Sequence, residues 1–188
     1  MPDYRRWFVP GGCYFFTVAT HGRRAVFRTE AARKLLGVCY RRCEREWPFE
    51  TKAIVLLPDH LHAIWQLPPG DRDYPRRWSR IKSWFTQGYL AAGGSKALVS
   101  EAQDREGRRG VWQPRFWEHT IADEDDFQSH FGYVHFNPVK HGYASRVRDW
   151  KPSTFHRWVA RGVYERDWGR SESPPSTASR VTDAGEPV

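Results

Sequence analysis

The stretch Phe49-Glu50-Thr51-Lys52-Ala53-Ile54-Val55-Leu56-Leu57-Pro58-Asp59-His60-Leu61-His62-Ala63-Ile64-Trp65-Gln66-Leu67 holds two apolar runs joined by Pro58-Asp59. Runs of this length, rich in β-branched and aromatic residues and split by a Pro-Asp turn, read as two strands of a hairpin. Strand side chains alternate with period two, so His60, His62, Ile64 and Gln66 share one face. Leu61, Ala63, Trp65 and Leu67 share the other, which reads as the core side. Two imidazoles on one sheet face are a candidate metal site. An isolated His-x-His reads more readily as one core histidine beside one at the surface, so the metal reading needs support from the rest of the chain.

Working outward from the hairpin, Tyr14 to Thr20 reads as a strand that is largely apolar on both faces, which suits a central position. Thr29 can cap a helix from about Glu30 to Glu46, with Ala32, Leu35, Leu36, Cys39 and Cys43 inward. Trp47-Pro48 stops it. Tyr74 to Leu90 reads as a second helix, with Trp78, Ile81 and Phe85 inward and Arg76, Arg77, Arg80 and Lys82 on or beside a polar stripe. Residues 91–110, rich in Gly, Ser and charge, read as a mobile loop able to order on a ligand. Phe116 to Ile121 is the last expected strand. Asp123 to Asp126 opens a further helix that Pro138 should bound, since residues before proline disfavour the helical region. The pattern is an α+β, ferredoxin-like split βαββαβ. It predicts a four-stranded antiparallel sheet with helices on one face, plus an added helix carrying Tyr133.

Composition limits the function classes. The 188 residues suit one domain, expected over residues 1–168, with a tail over 169–188 that lacks apolar periodicity and is expected to be disordered. No apolar run is long enough to span a membrane, and no apolar signal segment follows Met1, so a cytoplasmic, nucleoid-associated location is expected. The three cysteines, Cys13, Cys39 and Cys43, form no Cys-x-x-Cys pair, which argues against a zinc knuckle. The net charge of +8 becomes +10 over residues 1–170 once the −2 of residues 171–188 is set aside. With ten tryptophans, this excess suggests phosphates held by arginine and bases stacked on rings.

Tyr133 and Asn137 are four apart and so share a helix face. With His60 and His62 they supply three possible ligands for a divalent cation and one nucleophilic hydroxyl. Such a set suits phosphodiester cleavage, with Mg²⁺ or Mn²⁺ bound and the nitrogen ligands tilting the preference to Mn²⁺. A histidine-triad nucleotide hydrolase would need a third histidine where Ile64 stands.

Longer motifs are more specific. Tyr4-Arg5-Arg6, Gly11-Gly12-x-Tyr14-Phe15-Phe16-Thr17-Val18, Leu57 to Trp65, Trp112-Gln113-Pro114-Arg115-Phe116-Trp117-Glu118-His119, Tyr133 to Gly142 and Ser153 to Arg157 follow one another along the chain. On these residues, and in their order, the sequence resembles the REP-associated tyrosine transposases, a branch of the single-tyrosine HUH nucleases. The resemblance implies that His60 and His62 are metal ligands, that Asn137 completes their site, and that Tyr133 attacks single-stranded DNA. Such attack leaves a 5′-phosphotyrosine and a free 3′-OH at palindromic hairpins. Arg5, Arg6, Arg76, Arg77, Arg80, Lys82, Arg115, Lys140 and His141 are expected, by charge and position, to contact the DNA. The partners implied are single-stranded DNA and DNA hairpins, bound by a monomer or homodimer. The non-enzymatic alternative is a domesticated hairpin-binding protein.

Overall fold

The computed structural model describes residues 8–169. The expected strands and helices form in the expected order, with two short helices added: β1 (Cys13–Ala19), α1 (Glu30–Glu46), β2 (Glu50–Leu56), β3 (His60–Gln66), α2 (Tyr74–Ala91), α3 (Glu101–Arg105), β4 (Trp117–Thr120), α4 (Glu124–Lys140) and α5 (Phe155–Ala160), the additions being α3 and α5. The sheet order is β2-β3-β1-β4, with every neighbouring pair antiparallel. This is the split βαββαβ arrangement. Arg5, Arg6 and residues 170–188, which include most of the expected tail, lie outside the described residues.

The helices α1 and α2 share one face of the sheet, and the added helix α4 covers the other. On the first face Tyr14, Phe16 and Val18 of β1 and Leu61, Ala63 and Trp65 of β3 pack against α1 and α2. Trp65 is fully buried, stacks on Trp78 at 4.2 Å and 15°, and lies 4.1 Å from the Phe49 ring. Its indole N–H donates to the Tyr40 hydroxyl, so the polar handle of the ring is satisfied inside the core. On the second face Phe15, Val55 and Ile64 pack against Phe131, Tyr133, Val134 and Phe136 of α4. That face is too apolar to stand in water, and α4 is the element left to cover it.

Local capping fits the boundaries. Thr29 Oγ1 accepts the Ala32 N–H at 3.3 Å, and Asp73 and Asp123 accept from Arg76 and Asp126 at 3.3 and 2.9 Å. Two expectations need correction. Pro138 does not bound α4; the helix runs through it to Lys140. Asn137 and Pro138 are both buried, so tertiary packing offsets the proline cost near the helix end. Residues 91–110, read from the sequence as a loop throughout, are not one. They contain α3, and their ends are fixed by an Ala97 N–H to Gly110 carbonyl bond of 3.0 Å and by Arg24, which donates to the Gly110 and Ser95 carbonyls.

The outer edge of β2 is taken up by the chain around α5. Thr154 N–H donates to the Ile54 carbonyl, and Leu56 N–H to the Pro152 carbonyl. Arg157 and Trp158 side chains donate to the Lys52 carbonyl, at the β-bulge between Thr51 and Ala53.

Trp65→Ala should destabilise the protein by about 3–5 kcal/mol, because it empties the centre of the first core layer. Urea unfolding followed by circular dichroism measures this. A loss below about 1 kcal/mol would show that the Trp65–Trp78 stack does not hold the layer together.

Candidate active site and nucleic-acid interface

His60 and His62 sit on β3, side by side on the face that α4 covers, and they are 1% and 0% exposed. Their ring centroids are 4.9 Å apart. The Nδ1 of each ring is engaged. His60 Nδ1 lies 2.7 Å from Asp59 Oδ1, and His62 Nδ1 lies 2.9 Å from Thr17 Oγ1, its cross-strand neighbour in the β1–β3 ladder. Such partners fix the ring orientations, and the Asp59 carboxylate favours a proton on His60 Nδ1; with each Nδ1 so engaged, Nε2 is the nitrogen able to offer a lone pair to a cation.

Asp59 is itself held. Arg23 Nε lies 3.0 Å from its Oδ2. Burial works against the Asp59 charge, but the His60 hydrogen bond and the Arg23 charge outweigh it, and its carboxyl stays below the ordinary carboxylate range. Arg23 occupies a left-handed backbone conformation, φ +54°, unusual for a side chain larger than glycine. The turn before α1 thus holds a strained residue whose side chain is aimed at Asp59.

The helix α4 brings the rest. Tyr133 is 3% exposed, and its ring lies 5.3 Å from His62 and 6.0 Å from Phe15. Two turns on, the His141 ring lies 5.6 Å from His60. Asn137, fully buried, is four residues from each, on the helix stripe between the two contacts with the histidines. The Lys140 ammonium donates to the Tyr133 hydroxyl at 3.1 Å and lies 4.6 Å from the ring centroid. The contacts of Tyr133 with His62 and of His141 with His60 thus bring this face of α4 onto the histidines within one chain, with Asn137 on the stripe between them.

The expected DNA contacts are divided by the sheet. Lys140 and His141 border the histidines and are exposed, and Arg115 is exposed just before β4. Arg76, Arg77, Arg80 and Lys82 belong to α2, in the opposite layer. Arg76 and Arg80 are exposed and lie over the Trp47 ring at 5.4 and 5.8 Å. Lys82 donates to the Gln113 carbonyl at 2.7 Å and lines a cavity of about 790 Å³ with Arg108, Arg109, Trp112 and Phe116. Arg77 is a correction: it is 3% exposed, and its guanidinium is taken up by Asp71 and by the Trp47 and Pro48 carbonyls. It ties α2 to the α1–β2 turn and has no face to offer DNA.

Sequence reasoning misses Thr17, Asp59 and Arg23 as supports of the histidines. The β1–β3 register that pairs Thr17 with His62 is the signal that could find the first. It also misses a cluster of His119, Asp126 and His130 on the same sheet face.

The core side of α4 carries His135, fully buried between the Phe131 carbonyl and Thr154 Oγ1. Burial, assisted by the Arg157 charge, pushes its pKa down to about 3. The unfolded chain, with an ordinary histidine near 6.5, binds a proton that the folded chain refuses. This residue's contribution to stability is therefore complete above about pH 6.5 and should fall by about 1.4 kcal/mol per pH unit below it, down to about pH 3. Denaturation midpoints between about pH 7 and 4 should show this slope, and His135→Gln should flatten it. An unchanged slope in that variant would place the acid sensitivity elsewhere.

No protein-family model matches the chain. It is 40% identical over 181 residues, 96% of its length and 99% of the relative's, to the REP-associated tyrosine transposase of Escherichia coli (strain K12). A relative from Haemophilus influenzae bearing the same family name is 41% identical over 169 residues, covering 90% of this chain and 94% of that one. Among solved structures, a REP-associated tyrosine transposase bound to a REP hairpin superposes with a TM-score of 0.75 at 40% identity, over 94% of this chain and 96% of that chain.

Proposed function

The chain belongs to the REP-associated tyrosine transposases, and from that premise we propose that it cuts and rejoins single-stranded DNA at palindromic hairpins. The observation that carries the reading is the Tyr133 ring 5.3 Å from His62, with the Lys140 ammonium 3.1 Å from its hydroxyl. Tyr133 Oη, its proton given up to solvent, attacks the scissile phosphorus; a P–O bond to tyrosine forms, the bond to the 3′ oxygen breaks, and that oxygen takes a proton from solvent to leave as the 3′-OH. The linkage conserves the phosphodiester for rejoining. Lys140 favours the phenolate as the phenol proton leaves, because a cation at hydrogen-bond distance stabilises the charged form. This gives Lys140 a role beyond the phosphate contact expected from its charge.

His60, His62 and Asn137 are the residues that would hold a divalent cation. The donor set fits: two imidazoles oriented through Nδ1 and one amide oxygen suit Mg²⁺ or Mn²⁺. When bound, the cation supplies charge neutralisation at the scissile phosphate. The nucleophile and the histidines belong to one chain, which supports cleavage by a monomer. Lys140, His141 and Arg115 are suited to the strand being cut. Arg76 and Arg80 suit only DNA that wraps to the opposite layer.

Incubation with single-stranded hairpin oligonucleotides and Mn²⁺ or Mg²⁺ should give a protein–DNA adduct stable to denaturant. Tyr133→Phe and the double variant His60→Ala/His62→Ala should abolish it. Lys140→Met should slow its formation about 10–150-fold, the worth of a charged hydrogen bond of about 1.5–3 kcal/mol. An adduct that survives Tyr133→Phe removes the nucleophile assignment. Hairpin binding without an adduct under either metal would favour a protein that only binds.

A further inference from the structure

A second group of metal-ligating side chains lies beside the site but takes no part in it. His119 is on β4, opposite Phe15 in the β1–β4 ladder, while Asp126 and His130 are four apart on the first turns of α4. His119 Nε2 lies 2.8 Å from Asp126 Oδ2, and His130 Nδ1 lies 2.8 Å from Asp126 Oδ1. The two imidazoles are parallel within 16°, with centroids 4.6 Å apart. One ligand atom from each residue falls within 4.8 Å of the others. Two nitrogens and a carboxylate oxygen at such spacing can close on one ion with bonds of about 2.0–2.2 Å.

We propose that His119, Asp126 and His130 form a second divalent-cation site, of the two-imidazole, one-carboxylate class that takes Zn²⁺ or Co²⁺. Imidazole-rich donor sets favour these ions over Mg²⁺. The His119 side chain is 38% exposed against 20% and 8% for Asp126 and His130, which leaves an entry path and room for water as further ligands. The cation takes the place of the two ring protons now shared with Asp126, and each proton moves to the other nitrogen of its ring, so both imidazoles stay neutral. His130 gives up its contact with the Asp126 carbonyl, 3.0 Å away, in the exchange. Asp126 keeps the Ala122 N–H on Oδ2.

Bound there, the ion ties β4 to the start of the helix that carries Tyr133. Phe15 separates the two sites: its ring touches His130 at 4.8 Å on one side and His62 at 5.4 Å on the other. The site does not depend on the nuclease reading.

The test is Co²⁺ binding to the metal-free full chain, read by visible absorption and by equilibrium dialysis, with circular dichroism to check folding. The double variant His60→Ala/His62→Ala should retain one equivalent of Co²⁺, and adding His119→Ala should remove it. His119→Ala alone should keep the hairpin adduct formed with Mn²⁺. His119 is the most exposed of the three, so its loss should leave the fold intact even where Asp126→Asn disturbs the helix start. If the double variant binds no Co²⁺, or if its equivalent survives His119→Ala, the cluster is a hydrogen-bonded clamp only and the proposal fails.

Discussion

Two imidazoles buried on an apolar sheet face cost free energy unless each polar nitrogen has a fixed partner. Here Asp59 and Thr17 meet that demand at Nδ1, and the rest of the site follows from it. Because Asp59 must stay ionised beside His60, Arg23 is held against it from a strained turn. Because Thr17 must face His62, the β1–β3 register cannot slip by one residue without turning both side chains to the wrong layer.

The second constraint is the covering helix. α4 buries an apolar stripe on the sheet and at the same time presents Tyr133, Asn137 and His141 at intervals of one turn. Continuing through Pro138 is what keeps Lys140 and His141 on the same helical frame as the tyrosine. Packing and chemistry are thus set by the same rigid element, which suits a site whose groups must hold position.

Much of this is legible in residue order. Period two places His60 and His62 together, and the four-residue spacing places Tyr133 with Asn137. The Pro-Asp hairpin and the capping residues mark out the split βαββαβ order. Depth is not legible. Arg77 looks like its neighbours on the polar side of α2, and only the approach of Asp71 and the α1–β2 turn shows that it is interior. Nor does a basic stripe announce which sheet face its helix covers, so charge alone points α2 at the DNA without regard to the layer between. His119 and His130 belong to different elements, and their meeting depends on the β1–β4 pairing, which is non-local.

The chain around α5 has a consequence for how copies of the protein can meet. An open strand edge is a template on which any extended segment can add. Along β2 that template is already used, since its backbone groups are bonded to residues 152–158 of the same chain. Extending the sheet from one molecule into another on this side would first require peeling the chain around α5 away. Among the described residues the sheet's other border is β4, four residues long. A short strand on one side and an occupied one on the other leave little purchase for polymerising through the sheet.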